Sequence, residues 1–139
     1  MSGGSITGNT QNGNPADVYI ENTSLSAFQV SGDAAVGALK LFAYGSGNTR
    51  LTVGSGWTGN VTTLHLRGND ETMATVISYW ENKQILRPAS GYTLTAGDVA
   101  KITSIGNFMS TAASDNTQAI SPTHRISDSG GTIGYLTTP

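Results

Sequence analysis

The two histidines, His65 and His124, are the first side chains to weigh for chemistry. Neither has a second histidine or a carboxylate at the spacing of a zinc site, so no zinc centre is expected. His65 lies within Leu64-His65-Leu66, which suits a strand surface or an interface. Asp17, Asp33, Asp70, Glu71, Asp98, Asp115 and Asp128 are mostly isolated in turn-like contexts. Such carboxylates could join backbone carbonyls around calcium, but EF-hand spacing is missing. The sequence therefore assigns no metal and no cofactor.

Two short motifs resemble catalytic or nucleotide-binding signatures. Gly54-Ser-Gly56-Trp-Thr-Gly59 matches G-x-G-x-x-G. The dinucleotide version needs a helix to begin inside the loop and receive the pyrophosphate. Here Asn60-Val-Thr-Thr-Leu-His-Leu-Arg67 follows and alternates like a strand, so a Gly-rich hairpin loop is expected. Ser127-Asp-Ser129-Gly-Gly131 is similar to the surroundings of the chymotrypsin-type nucleophile. A triad is defined by geometry and roles, the chain is too short for a double barrel, and His65 sits in no matching motif. A polar turn is expected, and no catalytic residue is assigned. Asn22-Thr-Ser and Asn60-Val-Thr are formal glycosylation sequons, a pattern that chance supplies in a chain rich in Asn and Thr.

Trp57 is the most interesting single residue. It sits in a Gly-rich loop near Asn60, and a neighbouring loop carries Tyr44, Asn48 and Arg50. An exposed aromatic beside amides and an arginine can stack on and hydrogen-bond a sugar. The competing reading has Trp57 capping the core or plugging a subunit interface.

These residues need elements to hold them. The chain has 139 residues, enough for one domain. Gly, Thr, Ser and Asn fill about 45% of it, and charged residues only 12%, roughly half the usual share. Net charge is -2. The basic residues Lys40, Arg50, Arg67, Lys83, Arg87, Lys101 and Arg125 are never adjacent, which argues against a nucleic-acid partner. Cysteine is absent, which removes disulfides and thiolate sites. The first 14 residues show no basic n-region or apolar h-region, so no secretion signal is expected. Apolar runs are far too short for a membrane span.

Residues 1–14 read as a flexible arm held in place by a neighbouring chain. From Pro15 onward, period-two alternation marks strands at 16–22, 26–30, 38–44, 49–53 and 61–67, then at 84–88, 91–95 and 98–105. Residues 69–83 are open between strand and a short helix near 70–82. Met73, Val76, Ile77 and Trp80 fall on one helical stripe, and Asn69 or Asp70 could cap it, whereas the β-branched and aromatic composition favours a strand. No internal repeat stands out. The expectation is an all-β chain: a single antiparallel β-sandwich, jelly-roll-like, or a small barrel. Residues 1–14 form its arm, 15–105 its core, and 106–139 late strands and an extension.

A Gly/Ser/Asn arm, Thr-rich strands, few charges, no cysteine and a Ser/Thr-rich tail resemble small bacteriophage virion surface proteins, either capsid decoration (cement) proteins or tail-fibre tip and adaptor domains. The resemblance implies a non-enzymatic structural protein of the virion surface. It also implies a homo-oligomer, typically a trimer, that binds a capsid or other virion protein and stabilises the shell. Exposed strand edges with few lysines to guard them also favour self-association. A carbohydrate- or receptor-binding adhesin using Trp57 is the alternative.

Overall fold

A computed structural model describes residues 1–11, 13–20, 27–42, 49–67, 73–107 and 124–138. Its strands are β1 (Ser5–Ile6), β2 (Thr10–Gln11), β3 (Asn14–Pro15), β4 (Val18–Ile20), β5 (Ala27–Val30), β6 (Ala35–Phe42), β7 (Arg50–Val53), β8 (Val61–Arg67), β9 (Leu86–Pro88), β10 (Ile102–Asn107), β11 (Arg125–Ile126) and β12 (Leu136–Thr137). Among the described residues, the helices α1 (Met73–Trp80) and α2 (Ala96–Val99) and a 3-10 turn at Gly130–Thr132 interrupt them.

Among the described strands, consecutive long ones do not pair with each other. One sheet runs β6, β8, β10, with β1 beside the start of β6 and β4 beside its later part. A second sheet runs β5, β7, β9. Every pairing in both sheets is parallel. The chain thus passes from sheet to sheet at each step, β4 to β5, β6 to β7, β8 to β9, then β10. Parallel neighbours need a crossover, and a strand of the opposite sheet provides it. This is the winding of a β-solenoid, where each rung rests on the last.

The register explains the packing. Val18, Leu39, Leu64 and Ile105 stack in one row. Phe28, Leu51 and Leu86 stack in another, with Val30, Val53 and Pro88 beside them. Leu39, Leu41, Leu64 and Leu66 share one core with Val30, Leu51, Val53 and Leu86. Each such side chain stabilises the fold by roughly 1.5–3 kcal/mol. Lys40 and His65, opposite each other in the ladder, are also buried, so the larger sheet is covered on both faces at that level, as parallel sheets usually are.

The antiparallel sandwich or barrel expected from the sequence is therefore corrected to stacked parallel sheets. Alternation reports that a strand is half-buried and carries no information about direction. The expected lack of a repeat is corrected too. Val36-Gly-Ala-Leu39-Lys-Leu41 recurs as Val61-Thr-Thr-Leu64-His-Leu66, and the two phrases lie in register. The segment open between strand and helix forms α1. Its Trp80 is fully buried and donates its indole N–H to Arg67 O at 2.9 Å. The candidate caps Asn69 and Asp70 lie outside the described residues. The strand expected at 91–95 is irregular, because Thr95 and Asp98 form a capping box that starts α2.

Turns stack as well as strands. Ser31 N–H donates to Met1 O, and Ala35 N–H to Gly4 O. One rung further on, Thr58 N–H donates to Gly32 O and Val36 N–H to Asn60 O. The Gly54–Gly59 loop is thus a crossover turn between sheets and not a hairpin. Gly59 passes so close to the turn beneath it that a Cβ there would sit 1.8 Å from Ala34 O.

Both ends are used within the chain. Residues 1–6 make a first rung on their own chain through those turn bonds and β1. Between β1 and β4 the edge is broken, and Asp17 fills the gap. Its carboxylate accepts from Ala38 N–H at 2.7 Å and from Asn9 N–H at 2.8 Å. At the other end Gly134 O accepts the N–H groups of Ile85 and Leu86, and β11 pairs with β12.

Gly59→Ala should lower unfolding free energy by about 3 kcal/mol, since backbone must move to admit the methyl. Gly97→Ala, whose Cβ meets only Thr95 Oγ1 at 3.5 Å, should change it by less than about 1 kcal/mol. Chemical denaturation of the two variants checks the contrast.

Candidate functional site

Strand parity places Arg50 and Thr52 of β7 on the face opposite Leu51 and the core. Arg87 of β9 stands across from Thr52 and donates its Nε–H to Thr52 Oγ1 at 2.9 Å. The loop after α1 closes over this face. Asn82 ends the helix with φ 60°, a left-handed conformation that asparagine tolerates better than most residues. Asn82 N–H donates to Leu136 O, and Leu136 N–H to Lys83 O, while Gln84 bridges to Tyr135. The result is a cleft of about 340 Å³ lined by Arg50, Asn82, Lys83, Gln84, Arg87 and Tyr135.

Aromatic rings of α1 back two of the cations. Lys83 Nζ lies 3.4 Å from the centroid of Tyr79, and the Arg50 guanidinium 5.4 Å from that of Trp80. The two rings meet edge to face, 5.7 Å apart. Among the described residues, the carboxylates Asp98 and Asp128 pair with Lys101 and Arg125 instead, and Glu81 lies beside His124. Burial holds Arg50 below the usual arginine range; Tyr79 and Tyr135 oppose the shift and the charge of Arg87 adds to it. Burial, then the charge of Arg50, does the same to Lys83. Positive charge is thus concentrated where the protein holds it at a disadvantage, a pattern common at functional sites.

The residues singled out from sequence separate. Arg50 lines the cleft. Trp57 is buried, 3% exposed, with its indole N–H donated to Ala34 O at 2.8 Å and Lys101 Nζ 5.2 Å from its ring. It caps the core. Asn60 is exposed in the turn beyond it and lines no part of the cleft. Tyr44 and Asn48 lie outside the described residues. Lys83, Arg87, Asn82, Gln84 and Tyr135 were missed. Their signal was faint: Leu86-Arg-Pro88 aligns with Leu51-Thr-Val53 only once the stacking is known.

The acidic and hydroxyl candidates have structural partners. Asp98 is 1% exposed and accepts from Tyr92 OH at 2.8 Å, from Thr95 N–H and Oγ1–H at 2.9 Å, and from Lys101 Nζ at 3.2 Å. Burial alone would raise its pKa, but those four donors together hold it below the usual carboxylate value. The Ser127 hydroxyl bonds within its own turn, to Ser129 O and Thr132 Oγ1. His124 Nε2 faces Glu81 Oε1 at 3.6 Å. Among the described residues, no three His, Asp or Glu side chains gather as a metal site would require, and no helix is long and apolar enough to cross a membrane.

Comparison with known protein families, with curated proteins and with solved structures finds no match to this chain.

Two predictions follow from these charges. Asp98 has a folded pKa below its unfolded value near 3.8, so its contribution is complete above that value and is lost as pH falls through the folded one. Asp98→Asn should cost about 2 kcal/mol at pH 7 and much less near pH 2, read by denaturation at both pH values. Lys83→Gln should leave stability unchanged or raise it by less than about 0.5 kcal/mol, because solvent screens a partly exposed charge; thermal unfolding at low salt reads this.

Proposed function

We propose that the chain is a non-enzymatic recognition module of a virion surface, and that the cleft beside β7 and β9 takes carbohydrate. The observation that carries this reading is the cleft itself. Two guanidinium groups, an ammonium, two side-chain amides and a phenol converge on one face, and hydrogen-bonding side chains of this kind suit sugar hydroxyls. They stand on a stacked scaffold, which holds such groups in fixed positions. The virion setting rests on the composition of the chain.

A capsid-cement role has less support. It drew on arms that would clamp neighbouring subunits, and residues 1–6 are engaged within their own chain. A catalytic role is also poorly supported, since Ser127, Asp98 and Asp17 are occupied by turn, cap and edge bonds. Trp57, whose indole is buried, serves the core.

A glycan array probed with the purified protein tests the reading. Binding that drops at least about tenfold in Lys83→Ala and persists in Trp57→Phe is the expected result. A silent array, or binding unaffected by Lys83→Ala, would remove it.

A further inference from the structure

Three cations of a chain that has only seven basic residues meet in one cleft of about 340 Å³. Of the carboxylates among the described residues, none lines it. The partners of the cations are neutral: Arg50 Nη1 donates to Thr49 O at 2.6 Å, and Arg87 Nε to Thr52 Oγ1. Lys83 rests on the Tyr79 ring. Each of these contacts fixes a side chain without cancelling its charge. Arg50 and Arg87 are brought to one face by the β7–β9 register, and Lys83 reaches them from the loop between α1 and β9.

Resting on the carbohydrate reading above, we propose that the cleft is a subsite for an acidic sugar residue, with its oxyanion held by Arg87, Lys83 and Arg50 and its hydroxyls by Asn82, Gln84 and Tyr135. Guanidinium groups fit the paired oxygens of a carboxylate or an ester sulfate, and the ammonium adds a point charge. Amide and phenol groups supply both donors and acceptors for ring hydroxyls. The volume is at the low end of ligand clefts, which span roughly 300–1,000 Å³. That suits a sugar residue and is too small to track a nucleic-acid backbone, where affinity comes from many phosphate contacts in a row.

Titration calorimetry at low salt with three probes tests the proposal: trigalacturonate, its methyl-esterified neutral form, and inorganic sulfate. The expected result is binding of trigalacturonate at least about tenfold tighter than either other probe. That binding should weaken about tenfold in Arg87→Ala and in Lys83→Ala, stay unchanged in Arg125→Ala, and weaken with added salt. Thermal unfolding of the same samples confirms that the variants are folded. Equal binding of the neutral ester, lost in Lys83→Ala, would overturn the acidic-group proposal and leave the carbohydrate reading standing. Sulfate binding as tight as trigalacturonate would leave an anion site and overturn the sugar. No binding of any probe to the folded protein would overturn the proposal outright.

Discussion

Parallel stacking in a fixed register is the constraint on which everything else depends. A one-residue slip between β6 and β8 would turn Leu64 and Leu66 toward the position of His65, and every core row would break at once. The register holds because each rung contributes leucine or valine at matching positions, Leu39 over Leu64 and Leu51 over Leu86. The same register moves the outward residues together. Gln29, Thr52 and Arg87 form one outward row, and Arg50 stands two residues before Thr52. The cleft is therefore a by-product of core packing on the opposite face of the same strands.

Close stacking also decides the turns. Where one rung's turn lies on another, the side chain must vanish, and the small residues of this sequence sit at those points. Gly32 and Gly59 pass against the backbone of Ser2 and Ala34. Gly32 and Gly59 are thus required by contact between rungs, whereas Gly4, Gly8, Gly13, Gly56, Gly91 and Gly130 serve turns at positive φ. A chain with so few charges can tolerate such tight layers, because little charge needs solvent. In the cleft three cations are held by aromatic rings, the Thr49 carbonyl and the Thr52 hydroxyl instead of carboxylates. Proteins retain such unfavourable groupings mainly where function uses them.

Much of this was legible in the sequence, but at the wrong scale. Strand positions were readable from alternation, including 27–30, 50–53 and 61–67. Their direction was not, since a parallel and an antiparallel strand bury the same alternate residues. Val61 is out of step with Leu64 and Leu66, and Val36 is out of step with Leu39 and Leu41 in the same way on β6, a match that only the stacking makes visible. Thr95-Ala-Gly-Asp98 likewise carried a helix start that the surrounding strand-like residues obscured. Trp57 was open between an exposed ligand contact and a cap on the core or an interface, and stacking of its loop on Ala34 makes it the core cap. The cleft was out of reach, because Lys83 and Arg87 approach Arg50 only after β9 has stacked on β7, across a segment that contains α1.

The most direct test of the parallel stack is a map of backbone proton contacts by NMR on the isotope-labelled chain. Contacts between β6 and β8 should run in the same direction, from Val36 with Val61 to Phe42 with Arg67, and those between β7 and β9 from Leu51 with Leu86 to Val53 with Pro88. Contacts that run in opposite directions, with low numbers in one strand against high numbers in the other, would contradict it.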